Sequence, residues 1–272
     1  MSASEHLKIQ PEVFMEEATR LVEEANDKGV VLRVMGATAY RIHSKELCYL
    51  HNALGRRISD LDFVAYSKQR KEVMKVLEES GYLQNNRTAM IAAVYMDRFI
   101  FKNPKNNLVA DVFFDKLVMC HTIDFKGRLE VDFPTIPLAE LLLEKMQIVR
   151  IEDKDFKDAI ILFMGHDVGK GDKETINSDY IADILSKDWG FYYTVSTNLN
   201  KFKDSLPKYS ILKESDQKDI RAKIDKLLEA IESKPKSLSW KLRAKVGTSK
   251  KWYRDVEEVY GIEEIYKSDS TN

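Results

Sequence analysis

The run Val30-Val-Leu-Arg-Val-Met35 is short, β-branched and mostly apolar, the pattern of a strand buried on both faces. It stops at Gly36, and Ala37-Thr-Ala-Tyr-Arg-Ile-His43 continues with good helix formers. Gly36 therefore occupies a strand-to-helix turn, a position that limits the fold to helices packed on a sheet. A second strand is predicted over 58–65, followed by a helix capped by Ser67 and closed near 80 by Gly81. A helix over 11–28 precedes the first strand, with Pro11 suited to its first turn.

Further strands are expected over 92–101 and 108–114, about the turn at 103–107, and short ones over 124–131. Helices are expected from Pro137 to about 149 and over 154–164. The stretch Gly165-His-Asp-Val-Gly-Lys-Gly-Asp172 reads as a boundary, beyond which strand signals fade. Helical segments follow near 177–187, 189–203, 214–233, 237–246 and 249–260. The expected organisation is an α/β (α+β) domain over 1–165 and an all-helical domain over 173–272.

Composition narrows the class of protein. With 44% hydrophobic residues the chain can bury a core, which excludes wholesale disorder. Two cysteines, Cys48 and Cys120, cannot form a disulfide framework, and no signal-like leader or run of roughly 18 apolar residues is present, so a reduced, cytoplasmic protein that does not insert in membranes is expected. The net charge of −1 conceals an asymmetry: eight basic residues and no acid lie between Lys234 and Arg254, leaving −9 on the rest. A local anion-binding surface is compatible with that balance; a histone-like sheath is not.

Asp60-Leu61-Asp62 lies on the second strand. Residues at i and i+2 leave a strand on one face, with Cα atoms about 7 Å apart, so the two carboxylates can share a divalent cation. Their mutual repulsion and desolvation would be removed by Mg²⁺ (or Mn²⁺); a solvated strand end is the plainer alternative. Asp111 lies in Leu-Val-Ala-Asp-Val-Phe-Phe on a later strand. A carboxylate in that company needs either a cation, completing a site for two metals about 4 Å apart, or strong partners such as backbone donors or Arg98. Arg98 and Arg57 could each pair with an acid or contact phosphate. The Gly36 turn exposes backbone N–H groups at a helix start, where a triphosphate would fit, although such a glycine can equally be plain turn chemistry.

Val31-Leu-Arg-Val-Met-Gly-Ala-Thr-Ala-Tyr40, Arg57-Ile-Ser-Asp-Leu-Asp-Phe63 and Val109-Ala-Asp-Val-Phe113 together resemble the nucleotidyltransferase fold of the DNA polymerase β superfamily. The resemblance is nearest to bacterial and archaeal proteins related to abortive-infection toxins, in which a Lys-bearing helix precedes a Lys-Asp pair; here these read Leu141-Leu-Leu-Glu-Lys-Met-Gln-Ile-Val-Arg150 and Lys154-Asp-Phe-Lys-Asp158. It covers roughly residues 30–165. It implies a mixed sheet flanked by helices, metal ligation by Asp60, Asp62 and Asp111, and Asp111 as base for the attacking hydroxyl. It further implies phosphate binding by Gly36 and Ala37, a phosphate contact from Lys145, and Asp158 as a polar member of the same cleft. Two departures stand out: Ala37 where the family has Ser or Gly, and 24 residues between Gly36 and Asp60.

The expected activity is metal-dependent transfer of a nucleoside monophosphate from an NTP to an acceptor. A catalytically degenerate nucleotide-, RNA- or partner-binding module of the same fold is the alternative. Trp240, Trp252 and Tyr253 among the cations of 234–254 suit stacking on an RNA or tRNA acceptor. Trp240, Ala244 and Val246 equally suit a core stripe with solvated lysines. His121 reads as structural, and His43 and His51 fall in the interval before Asp60.

Overall fold

A computed structural model describes residues 9–84 and 98–255. Its centre is one five-stranded mixed sheet in the order β1-β2-β5-β4-β3. The strands are β1 (Leu32–Met35), β2 (Leu61–Ala65), β3 (Leu83–Gln84), β4 (Arg98–Lys102) and β5 (Val109–Phe114). β2 and β5 run parallel and the other pairs are antiparallel. All four residues of β1 are buried, as the continuous apolar run requires.

Helix α1 (Pro11–Asp27) starts on its proline and turns Phe14, Ala18, Leu21, Val22 and Ala25 to the core. Gly36 opens α2 (Gly36–His43), followed by α3 (Cys48–Ala53) and, after β2, α4 (Arg70–Glu79). Beyond β5 the chain makes a hairpin of β6 (Lys116–Val118) and β7 (Thr122–Asp124). The short strands expected over 124–131 are therefore displaced: the pairing ends at Asp124, and the residues after it form turns. The part of the expected 92–101 strand before Arg98 lies outside the described residues.

Near 135 the chain returns to the sheet edge. Val34 N–H donates to the Pro134 carbonyl at 3.0 Å, and Ile136 N–H donates to the Val34 carbonyl at 3.0 Å. This anchorage starts α5 (Leu138–Met146) beside the end of β1 and brings its second half against the Gly36 turn. α6 (Asp153–Gly165) opens with a capping box between Glu152 and Asp155.

The 165–172 stretch is more ordered than its composition suggests. β8 (Asp167–Gly169) and β9 (Thr175–Asn177) pair in parallel within and just beyond it. Among the described residues four α-helices follow: α7 (Ser178–Leu185), α8 (Trp189–Ser205), α9 (Glu214–Ser233) and α10 (Leu238–Val246). The expected helix over 249–260 is not found in its described part, since residues 250–255 are non-helical. One contiguous apolar core runs from Phe14 on α1 to Ile231 on α9. No helix among the described residues is long and apolar enough to cross a membrane.

α10 lies on the periphery. Leu238, Leu242 and Val246, spaced by four, are exposed, whereas Trp240 is half-buried and donates to the Leu185 carbonyl at 3.1 Å. Ile224→Ala in α9, fully buried, should therefore cost about 2–5 kcal/mol. Leu242→Ala, 64% exposed, should change stability by less than about 0.5 kcal/mol. Equilibrium denaturation of the two variants measures the contrast.

Candidate active site

The register of the sheet sets the site. Asp62 stands opposite Asp111 on the parallel β2–β5 pair and opposite Met35 on β1. Residues directly opposite share a sheet face, so the two carboxylates emerge side by side from adjacent strands. Asp60 lies just before β2, two residues from Asp62, with the Ser59 hydroxyl donating to its Oδ1 at 3.0 Å.

Gly36 lies directly over Asp62. Its φ of +63° is in the left-handed region, and a Cβ built on it would fall 2.2 Å from Asp62 Oδ2. A glycine is thus required twice at this position, by conformation and by the approach of the carboxylate. The Gly36 N–H, expected to face a phosphate, here donates to Glu144 Oε2 of α5 at 3.2 Å.

Burial pushes the Asp62 carboxyl well above the usual carboxylate range, and the neighbouring Asp60, Asp111 and Glu144 push the same way. Glu144 is itself buried and is raised to about 8, opposed by Lys145 and the Gly36 N–H. Such a concentration of carboxylates favours a bound cation or bound protons.

Asp111 has a partner already. Arg98 on β4 grips it with Nε at 2.6 and 2.7 Å from the two carboxylate oxygens, and a guanidinium NH₂ group makes a further short contact. Burial still raises the Asp111 carboxyl, with Arg98 opposing. Arg98 is one of the partners the sequence left open for Asp111. Asp60, Asp62 and Asp111 do not close into a triple with oxygens all within 4.8 Å of one another; among the described residues that compactness belongs to His43, His166 and Glu174.

Lys145 and Asp158 are brought together beneath the turn, in an ion-pair network. Lys145 Nζ lies 3.2 Å from Asp158 and 3.6 Å from Asp155, and 5.7 Å from the ring centre of Tyr40 on α2. Asp158 is fully buried and also accepts a two-pronged contact from Arg56, at 2.7 and 2.9 Å. Burial disfavours its charge, but Lys145 and Arg56 more than offset that and hold its carboxyl below the usual range. The Lys145 ammonium is thus engaged by two carboxylates of α6.

Arg57 is exposed, and its neighbour Arg56 is the arginine that enters the network. Glu144 is the other site residue absent from the sequence-based expectation. Its signal was present in Leu-Leu-Leu-Glu-Lys, an acid inside an apolar helix, where burial demands a partner. His51 is buried and held to about 3 by burial and the neighbouring Arg41. His121 is structural: it stacks on Phe191 with ring centres 4.9 Å apart and lies 2.8 Å from Thr194 Oγ1.

In the basic segment the aromatic N–H groups are satisfied internally. Trp252 donates to Thr194 Oγ1 at 3.1 Å, and Arg243 turns back onto the carbonyls of Gly247 and Lys250, each at 2.7 Å. Lys241, Lys245 and Lys250 remain exposed. The segment is thus a lysine-bearing surface with its two tryptophans packed inward.

No protein-family model matches the chain, and no curated protein matches it. Among solved structures, the crystal structure of an antigenic nucleotidyltransferase-like protein from Paracoccidioides brasiliensis aligns with it over 84% of this chain and 96% of that one. The identity is 12% and the TM-score 0.41.

Two outcomes follow from this geometry. Gly36→Ala should cost about 1–3 kcal/mol in backbone strain and also displace the Asp62 carboxylate. Gly29→Ala, with φ +70° but no atom within 4 Å of its Cβ, should show the strain alone. Thermal denaturation of both variants separates the two effects. For Glu144, a folded pKa near 8 against 4.5 unfolded means its contribution is fully present below about pH 4.5 and is lost as pH rises to 8. Glu144→Gln should flatten the stability profile across that interval by a few kcal/mol, since each pH unit between the two pKa values is worth on the order of 1.4 kcal/mol. Urea midpoints measured along the pH series follow the change.

Proposed function

We propose that the protein is a metal-dependent nucleotidyltransferase that moves an NMP from an NTP to an acceptor. The observation that supports this best is the in-register pair Asp62 and Asp111 on adjacent parallel strands, with Asp60 beside them and a glycine turn seated on Asp62. The donor set suits a hard divalent cation, because oxygen ligands on clustered, desolvated carboxylates lose their repulsion when one binds. Asp60 and Asp62 would hold Mg²⁺ (or Mn²⁺), with Asp111 as the third carboxylate. When bound, the ion supplies charge neutralisation for the phosphates.

The chain's own groups supply the rest. The α2 start, at Gly36 and Ala37, offers backbone N–H groups to the nucleotide phosphates once Glu144 yields the first of them. Arg98 governs Asp111: while the pair is closed the carboxylate is stabilised as an anion, and opening it frees the oxygens to accept the proton of the attacking hydroxyl. The Arg56–Asp158–Lys145 network keeps the turn in place. The acceptor would reach the site in the cytoplasm, and the exposed lysines of 234–254 fit an RNA or tRNA backbone. The division into an α/β domain over 1–165 and a helical domain over 173–272, and a toxin-like role, belong to the same reading.

The closed Arg98–Asp111 pair and the Glu144-occupied Gly36 N–H favour a second reading, in which the fold binds nucleotide or RNA without turning it over. Incubation of the purified chain with labelled NTPs, Mg²⁺ and cellular RNA distinguishes the two. Transfer of label by the wild type, reduced at least about 100-fold in Asp62→Asn with folding retained, supports the enzyme. Nucleotide binding without transfer of label to any acceptor supports the module and removes the enzyme reading.

A further inference from the structure

A second cluster of ligating groups lies at the opposite end of α2. The helix begins at the Gly36 turn and ends at His43, so its eight residues place this cluster about 10–12 Å from the carboxylates along the axis. His43 meets His166, which follows α6, and Glu174, which precedes β9. One nitrogen or oxygen from each of the three lies within 4.8 Å of the others.

Each side chain is held there differently. The His43 side chain is 5% exposed; its Nε2 lies 2.6 Å from Thr135 Oγ1, 3.2 Å from the Ile136 carbonyl oxygen and 3.6 Å from Asp132 Oδ2. The His166 side chain is likewise 5% exposed, its Nδ1 lies 3.5 Å from Glu174 Oε2, and its buried Nε2 has no hydrogen-bond partner among the described residues. The two rings meet edge to face, with centres 5.8 Å apart. Glu174 is exposed and adopts φ +48°, a left-handed backbone uncommon for a glutamate, which turns it toward His166. The cluster opens into a cavity of about 470 Å³ that Ser44, His166, Glu174 and Lys223 help to line.

We propose that His43, His166 and Glu174 form a binding site for a divalent transition-metal ion of the zinc class. Two imidazoles and one carboxylate form a borderline donor set that favours Zn²⁺ over Mg²⁺ or Ca²⁺. A tetrahedral ion with bonds of about 2.0–2.1 Å sets its ligands roughly 3.4 Å apart. The separation of 3.5 Å between His166 Nδ1 and Glu174 Oε2 already meets that. The Thr135 and Ile136 oxygens are partners of the kind that hold a ligating imidazole in orientation.

The ion would tie three segments together: the end of α2, the residue after α6, and the β8–β9 connection. This site uses none of the carboxylates of the nucleotidyl-transfer reading and is independent of it.

The test is competition of the chelator-treated full chain against a chromophoric Zn²⁺ chelator, with excess Mg²⁺ present, together with melting temperature with and without Zn²⁺. One Zn²⁺ per chain is expected, with a rise in melting temperature on binding. Glu174→Gln should weaken binding more than about tenfold and abolish the thermal shift; His166→Gln should do at least as much, and Asp62→Asn should leave both unchanged. Glu174 is exposed, so its variant carries the test even if His166→Gln fails to fold. Absence of saturable Zn²⁺ binding, wild-type affinity in Glu174→Gln, or loss of binding in Asp62→Asn would each overturn the proposal.

Discussion

Two carboxylates placed side by side on the inner strands of a sheet need some form of compensation, and much of the surrounding structure supplies it. Asp62 and Asp111 are adjacent because β2 and β5 pair in parallel at that register. From this adjacency follow the arginine that clasps Asp111 and the glycine that lets Asp62 approach the turn. Glu144 raises the local charge further, and a retained proton, the Gly36 N–H and nearby Lys145 offset it.

The supporting layer works by charge balance of the opposite sign. Lys145 and Arg56 converge on Asp158, and Lys145 also reaches Asp155, so the segment after α3 is joined to α5 and α6 by ionic contacts behind α2. Tyr40 adds a hydroxyl that donates to the Leu141 carbonyl at 2.5 Å. The start of α2 is therefore fixed by partners on its far side, which leaves its near side open to the carboxylates.

Much of this was legible in the sequence where periodicity and chemistry coincide. The β1–Gly36–α2 transition is marked by an apolar run that ends at a glycine, and α1 by its proline and apolar spacing. The three-residue strands β8 and β9 were not legible, because an element that short has no period to detect. The choice of Arg56 over Arg57 was equally hidden: consecutive residues point in different directions, and only the packed α6 shows which one meets Asp158. The Arg98–Asp111 pair stood as one of two alternatives, since strand register is decided by the whole sheet and cannot be read from either strand. The His43–His166–Glu174 grouping joins the end of α2 to residues far along the chain, on three segments with no shared motif.

The 2.2 Å approach at Gly36 makes two positions of the chain answerable to each other. A change at Asp62 to a smaller residue would lift the steric half of the demand on Gly36 and leave only the conformational half, so the two substitutions should not add. In descent, the order of loss would then be constrained: the carboxylate can go first and the glycine later, but the reverse order passes through a form in which both the turn and the carboxylate are displaced. A relative that kept this glycine without the aspartate would be preserving the imprint of a site it no longer has.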